Sequence, residues 1–288
     1  MARPHQDQSD PRVQTQWIME GRGTGRNGQF IPWLKMQDFA SRGKCRRLIG
    51  HITGDRVVHL FSNHEARAFF ILEASFPLVT DIREQFPLLP LEETLAIAKE
   101  LGVEHPGNRA TGRPIVMTTD LLVSTGQETE EKHCAIAIKE AKELSSWRHC
   151  EKLQIARVYH ERHGHSWWIV TERDIPMELA RNLEILREKR DLDGFGGVPL
   201  ATRTLVEQVL LPLIWKGDLS VAGATADCDR RLGLSPGTSL SVAYHLIYLR
   251  HWTTDLTKIL EPSRPLTLLT PQPKDINEIF KKLPGSMA

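Results

Sequence analysis

Apolar and polar positions alternate along the first part of the chain in a way that predicts short strands and medium helices. Residues 46–51 and 56–61 flank Thr53-Gly54-Asp55 and predict a β-hairpin. Residues 62–74 (SNHEARAFFILEA) predict a helix, and Ser62 stands three residues before Glu65, the spacing of a capping box. A strand is expected at 78–83, then a proline-punctuated loop at 86–90 and a helix at 91–101 ended by Gly102. Strand-like segments at 115–118 and 121–123 flank Asp120, and residues 134–139 (CAIAIK) predict a buried strand ending at Lys139. A helix over 147–163 ends at Gly164, a strand follows at 167–171 and a helix at 177–189. Residues 1–16 are polar and read as a flexible tail.

The pattern changes after residues 191–199 (DLDGFGGVP), whose glycines mark an expected boundary. Beyond it, helices are expected at 205–215, where Pro212 kinks or shortens the helix, at 225–232 and at 238–251. Residues 256–260 and 265–269 read as two wing strands, which makes a winged helix-turn-helix the expected form. The alternative is a small helical bundle that only packs on the first domain. The expected domains are therefore 1–193 and 194–288, and 288 residues suit two ordinary domains.

Composition excludes some classes. Hydrophobic residues make up 40% and charged residues 25%, as in a folded globular chain. No apolar run approaches a membrane span, and the polar start carries no apolar secretory segment. Cys45, Cys134, Cys150 and Cys228 are scattered without a CxxC pair, which predicts reduced thiols of a cytoplasmic protein. The net charge of +1 hides an asymmetry. Residues 1–60 hold 10 Lys+Arg against 5 Asp+Glu, whereas residues 61–139 hold 7 against 12. A basic arm beside an acidic centre fits a protein that grips a polyanion and holds metal ions, although an unevenly charged surface gives the same count.

The candidate chemistry is Glu65 on a helix, Asp120 at the start of a strand and Lys139 at the end of another. Two carboxylates supply the hard oxygen ligands that Mg²⁺ requires, and an ammonium beside them stabilises charge on a scissile phosphate. Each residue also has a structural explanation: Glu65 as half of a capping box, Asp120 as a turn cap and Lys139 as a solvated strand end. The glycine-rich segment 21–28 (GRGTGRNG) has the freedom to wrap a phosphate backbone, but it lacks the GxxxxGK string of a nucleotide-binding loop. Arg42, Lys44, Arg46 and Arg47 form a basic cluster, and Arg83 and Gln85 lie in a segment that either reaches DNA or braces itself through Asp81 and Glu84. His160, His163 and His165 are expected at an exposed helix end rather than in a zinc site. The 238–251 helix carries a single Arg and no Lys, which favours protein contact over groove reading. Residues 274–282 (KDINEIFKK) read as a docking helix or a frayed tail.

The strings GRGTGRNGQFIPWL at 21–34, HLFSNHE at 59–65, DIREQFPLLP at 81–90, TTDLLV at 118–123 and AIAIK at 135–139 resemble the TnsA family in order and spacing. That family comprises endonuclease subunits of heteromeric cut-and-paste bacterial DNA transposases. The resemblance implies an α/β fold with a restriction-endonuclease-like N-terminal domain and a winged-helix C-terminal domain. It implies Mg²⁺-dependent hydrolysis of the 5′ (non-transferred) strand at transposon ends, with Mn²⁺ able to substitute and room for two ions. The implied partners are double-stranded DNA at transposon ends, a DDE transposase of the TnsB kind and an AAA+ ATPase of the TnsC kind. Glu65 and Asp120 match the metal-binding carboxylates, Lys139 matches the catalytic lysine, and the Ile138 carbonyl is a further expected ligand. One departure stands out: Ala137 replaces a glutamine two positions before the lysine. Strand alternation places residue 137 on the face of Lys139, so a ligand or supporting contact is missing. Two other functions therefore stay open: a catalytically impaired architectural subunit bridging transposase and ATPase, and a stand-alone restriction or repair nuclease of the same fold.

Overall fold

Among the described residues the first element is helix α1 (Pro11–Met19), which takes up part of the tail expected over 1–16. Asp10 caps it through the Arg12 amide, and Pro11 occupies the first turn, where its missing N–H costs nothing. Trp17 anchors the helix, fully buried edge-on against Trp33 with ring centroids 5.2 Å apart. The structure, a computed structural model, describes residues 7–38, 45–126, 130–193 and 197–269. Arg42, Lys44 and the 274–282 segment lie outside the described residues.

The expected hairpin forms from β1 (Arg46–Ile49) and β2 (Val57–Leu60), paired antiparallel from Arg46↔Leu60 to Ile49↔Val57. Its turn requires glycine at position 54: φ is +69°, and a Cβ there would lie 2.4 Å from the Gly28 nitrogen. Helix α2 (Asn63–Glu73) follows, with the Ser62 hydroxyl accepting the Glu65 amide at its N-cap. Strand β3 (Val79–Pro87) extends through Phe86 and Pro87, where a loop was expected. It is an edge strand, which tolerates proline. Helix α3 (Leu91–Glu100) then leads to β4 (Thr118–Thr125), one continuous strand through Asp120.

Strand β5 (Lys132–Ile138), helix α4 (Trp147–Arg162) and strand β6 (Ser166–Val170) complete a four-stranded sheet of order β3-β4-β5-β6. The first three strands are antiparallel; β6 runs parallel to β5, and α4 supplies the crossover that a parallel pair needs. Leu88, Ile97, Met117, Ile155 and Tyr159 form the core between α3 and α4. Segment 21–28 is structural: Arg22 is buried against Trp17 and bonds Asp38 at 2.6 Å and the Trp33 carbonyl at 2.8 Å. A Cβ at Gly23 would strike the Pro87 ring at 2.2 Å.

Two compact units divide between Ile175 and Pro176, ahead of the glycine-rich boundary expected at 193/194. Helix α5 (Met177–Arg187) belongs to the second unit, because Ile185 and Leu186 share its apolar core. That core is built by α6 (Leu200–Lys216), α7 (Val221–Leu232) and α8 (Thr238–Tyr248), with Val206, Leu210, Cys228 and Leu246 inside. Helix α6 runs through Pro212 without ending. Among the described residues, the two wing segments form no strands; the Thr254 hydroxyl bonds the Thr267 carbonyl at 2.9 Å and the Leu269 amide bonds the Thr253 carbonyl at 2.7 Å. No helix of the described residues is long and apolar enough to cross a membrane.

Candidate active site

Glu65, Asp120, Ile138 and Lys139 come from three separate elements and meet at one end of the sheet. The β4–β5 pairing ends at Leu121↔Ile136. Past that point the Asp120 side chain takes over: its Oδ2 accepts the Ile138 amide at 2.6 Å and the Lys139 ammonium at 2.8 Å. Lys139 follows β5, and its backbone amide still bonds the Val170 carbonyl on β6. Its ammonium also donates to the Ile138 carbonyl at 2.9 Å. Two of the three oxygens expected to hold a metal thus already surround one positive charge.

Glu65 supplies the third oxygen group from the first turn of α2. It is buried, and Oε2 accepts the Phe61 amide at 2.9 Å. Only half of the expected capping box forms, since this carboxylate turns to Phe61 and not to Ser62. Burial raises the Glu65 carboxyl to about 7, and the negative charge of Asp120 adds to the rise. Burial pulls the Lys139 ammonium down, but the charge and hydrogen bond of Asp120 outweigh it, and the net shift is upward. A divalent cation would relieve the repulsion between the carboxylates. The donor set, two carboxylates and a carbonyl, suits a hard cation that keeps several waters. Ala137 is 3% exposed and offers no ligand. Among the described residues, no group of three or more His, Cys, Asp and Glu is placed to hold a metal ion. Glu140, on the pocket rim, is instead engaged with Lys142 at 2.5 Å.

Arg83 and Gln85 are both engaged with neighbouring side chains of the protein. Their segment is strand β3, and both side chains turn inward. Arg83 bonds Ser124 and His133, each at 3.2 Å, and lies over the Phe86 ring. Gln85, 4% exposed, donates to Glu65 Oε2 at 3.4 Å and accepts from the Thr118 hydroxyl at 3.2 Å. Its φ is +48°, a left-handed conformation that a side chain-bearing residue adopts only when its surroundings enforce it. Gln85 therefore positions Glu65. Arg46 and Arg47 sit on β1, the first half-buried and the second exposed.

The histidines also depart from expectation. His160 is fully buried, not at an exposed helix end: its Nε2 is 2.7 Å from the Thr119 hydroxyl, and its Nδ1 is 3.1 Å from His165 Nδ1. Burial, with His165 second, lowers it to about 3, so it is neutral at pH 7. This neutral ring supports the residue next to Asp120. Sequence reading also missed His64, Glu143, His149 and Lys152, which line the same pocket as Glu65 and Lys139. The i, i+3 spacing of His149 and Lys152 on α4 was the available signal that they share a face.

Comparison with known proteins agrees with this arrangement. Residues 77–172 match the family model described as TnsA-like endonuclease N terminal, and residues 174–256 match TnsA endonuclease C terminal. The junction falls close to the division between the compact units. Asp120 and Lys139 lie inside the first match and Glu65 precedes it. The chain is 36% identical over 224 residues to the Tn7 transposition protein TnsA of Escherichia coli, covering 78% of each chain. With both units matched in order, the chain belongs to the TnsA endonuclease family.

Proposed function

We propose that this chain is a transposon-end DNA endonuclease that hydrolyses the 5′ (non-transferred) strand during cut-and-paste transposition. The observation that carries the reading is the convergence of Glu65, Ile138 and Lys139 on one pocket, with Asp120 bonded to Lys139 beside them. The order α2-β3-α3-β4-β5-α4-β6, with its mixed sheet, supports the restriction-endonuclease-like fold implied by the family strings. Helices α6–α8 and the hydrogen bonds joining residues 253–254 to 267–269 support a winged-helix reading of the second unit.

Mg²⁺, with Mn²⁺ able to replace it, is the cofactor of this reading, held by Glu65, Asp120 and the Ile138 carbonyl. When bound it would acidify the attacking water and offset charge on the phosphate. Asp120 keeps Lys139 beside those oxygens, and the Lys139 ammonium stabilises the pentavalent phosphate. Gln85 and the Phe61 amide fix the Glu65 carboxylate. Water attacks phosphorus and gives up a proton to solvent, the bond from phosphorus to the leaving oxygen breaks, and that oxygen takes a proton from solvent. The partners are transposon-end DNA, a TnsB-like DDE transposase and a TnsC-like AAA+ ATPase, in the cytoplasm. Exposed Leu200, Leu205 and Trp215 on α6 support protein contact by the second unit.

A second reading rests on Ala137: a subunit that bridges transposase and ATPase without cutting. Strand-specific cleavage of an end duplex, with transposase and Mg²⁺ or Mn²⁺ present, separates the two. Cutting of the 5′ strand by the unmutated chain but not by Asp120→Ala supports the nuclease. No 5′ cut by either chain, with the 3′ strand still cut by the transposase, leaves the bridging subunit.

A further inference from the structure

The pocket around Glu65 and Lys139 has a volume of about 410 Å³ and contains a second cation, Lys152 of α4. The two lysines differ in one respect. Lys139 is neutralised by Asp120 at 2.8 Å. Lys152 is half-buried, and among the described residues its ammonium makes no hydrogen bond and no ion pair. Burial lowers its proton affinity, and the positive charges of Arg148 and Arg109 lower it further. A half-buried lysine with Arg148, Arg109 and Lys139 nearby, offset only in part by Glu104, favours an arriving anion.

Across the same pocket lies His64, next in sequence to Glu65. Its Nδ1 is buried without a hydrogen-bond partner. Buried polar atoms in folded proteins are nearly always satisfied, so an unpartnered one beside a pocket leaves the His64 ring free to turn toward a ligand there. The ligand must carry negative charge for Lys152 and hydrogen-bonding oxygens for both groups. A DNA phosphodiester has both features, and the neighbouring residues are those proposed to cut one.

We propose that Lys152 and His64 form a phosphate subsite beside the Glu65–Asp120–Lys139 group, holding a backbone phosphodiester of the strand being cut. The inference rests on the nuclease reading and deepens it. Lys139 acts on the reacting phosphate, whereas Lys152 binds the strand as a point charge.

The test pairs a side-chain change with a substrate change. End duplexes carry one neutral methylphosphonate linkage at successive positions around the 5′-strand cut. They are cleaved by the full chain with transposase, as the unmutated protein, Lys152→Met and Lys152→Arg. Lys152→Met is expected to lower kcat/KM about 10- to 100-fold, mainly through KM, with Lys152→Arg recovering most of the loss. At one linkage, or two adjacent ones, the neutral phosphate should cost the unmutated chain a similar factor and Lys152→Met nothing more. Elsewhere the two losses should multiply. Mn²⁺ affinity, read by electron paramagnetic resonance, should be the same in all three proteins.

Losses that multiply at every linkage overturn the subsite, and so does Lys152→Met cleaving as well as the unmutated chain. An acidic partner protein seated on Lys152 would give the first of these results. If Lys152→Met has a lowered unfolding midpoint, the same comparison is made with Lys152→Gln. Recruitment of labelled chain to transposase-bound duplexes in Ca²⁺ keeps the two ideas distinguishable. Non-multiplying losses in recruitment, with no 5′ cut in Mg²⁺, retain the subsite and sink the nuclease. Cleavage with multiplying losses throughout does the reverse.

Discussion

Two carboxylate–cation pairs lie close together in the N-terminal unit and differ in what surrounds them. Glu84 on β3 is 0% exposed, and Arg56 meets it at 2.6 Å. Every arm of that pair is used: Glu84 also accepts the His59 amide, and Arg56 also reaches the Ile82 and Asn27 carbonyls. Asp120 and Lys139 are 14% and 30% exposed, and Lys139 lines a pocket. The first pair is sealed inside the packing. On the proposed reading, the second exchanges its partner for a metal ion or a phosphate. Nearly the same pair chemistry therefore gives a structural brace in one place and a reactive centre in the other, and access decides which.

The largest expected effect tests the open pair. Asp120→Ala should lower 5′-strand cleavage by about a thousandfold or more, since it removes a metal ligand and releases Lys139. Its unfolding free energy should fall by only about 1–2 kcal/mol, the value of the Ile138 amide hydrogen bond with its neighbours. Cleavage assays and denaturant unfolding on the same preparation check both halves. A large stability loss would make Asp120 a brace like Glu84.

Next comes the sealed pair. Arg56→Met leaves a buried carboxylate without its cation and should cost about 3–5 kcal/mol. Adding Glu84→Leu should return much of that loss, because the uncompensated charge is gone. Thermal unfolding of the single and double variants reads this directly. A single variant within about 1 kcal/mol of the unmutated chain would show that the pair is not sealed in solution.

This contrast also explains what could be read from the sequence. The β1–β2 hairpin and α2 carry local signals, Thr53-Gly54-Asp55 and the Ser62 cap, and both form where expected. The candidate residues Glu65, Asp120 and Lys139 stand out through the family strings around them, because two carboxylates and a lysine at loose spacing are a weak signal alone. Helix α1 was not, since its polar residues outnumber the one side chain that matters, Trp17, whose burial depends on Trp33. Arg83 and Gln85 look like DNA-facing residues in sequence. Their inward turn depends on partners more than thirty residues away, Thr118, Ser124 and His133, and on a left-handed backbone at Gln85 that no local pattern announces. The boundary was misplaced because glycines mark a turn, whereas the division follows which core Leu186 joins. Lys152 escaped because an unpaired lysine differs from a solvated one only in its surroundings.

A smaller effect asks how far the open site depends on its support. Gln85→Leu removes the amide that holds Glu65, and Gln85→Gly removes it while relaxing the φ of +48°. Cleavage should fall about tenfold in both, with a higher Mg²⁺ concentration needed for half-maximal rate. Gln85→Gly should be the more stable of the two by roughly 1 kcal/mol. Equal loss of activity with unequal stability would assign the effect to the amide. Full activity in Gln85→Gly would assign it to backbone strain instead.

The smallest effect sets sealed against open groups by pH, in metal-free buffer. His160 is sealed, and burial lowers it from 6.5 to about 3. Between those values the unfolded chain binds a proton that the folded chain refuses, so stability falls as pH drops below 6.5. One such histidine contributes a loss of about 1 kcal/mol between pH 7 and 5.5. Glu65 has the opposite sign. Burial and Asp120 raise it from 4.5 to about 7, so over that window the folded chain binds the extra proton and acidification stabilises it. The two slopes partly cancel in the unmutated protein. Glu65→Gln should unmask the histidine and steepen the loss on acidification, whereas His160→Gln should flatten or reverse it. Denaturant unfolding at pH 7 and 5.5 reads the sign in each variant. If both variants shift the slope in the same direction, one of the two groups is not held as the sealed and open comparison requires.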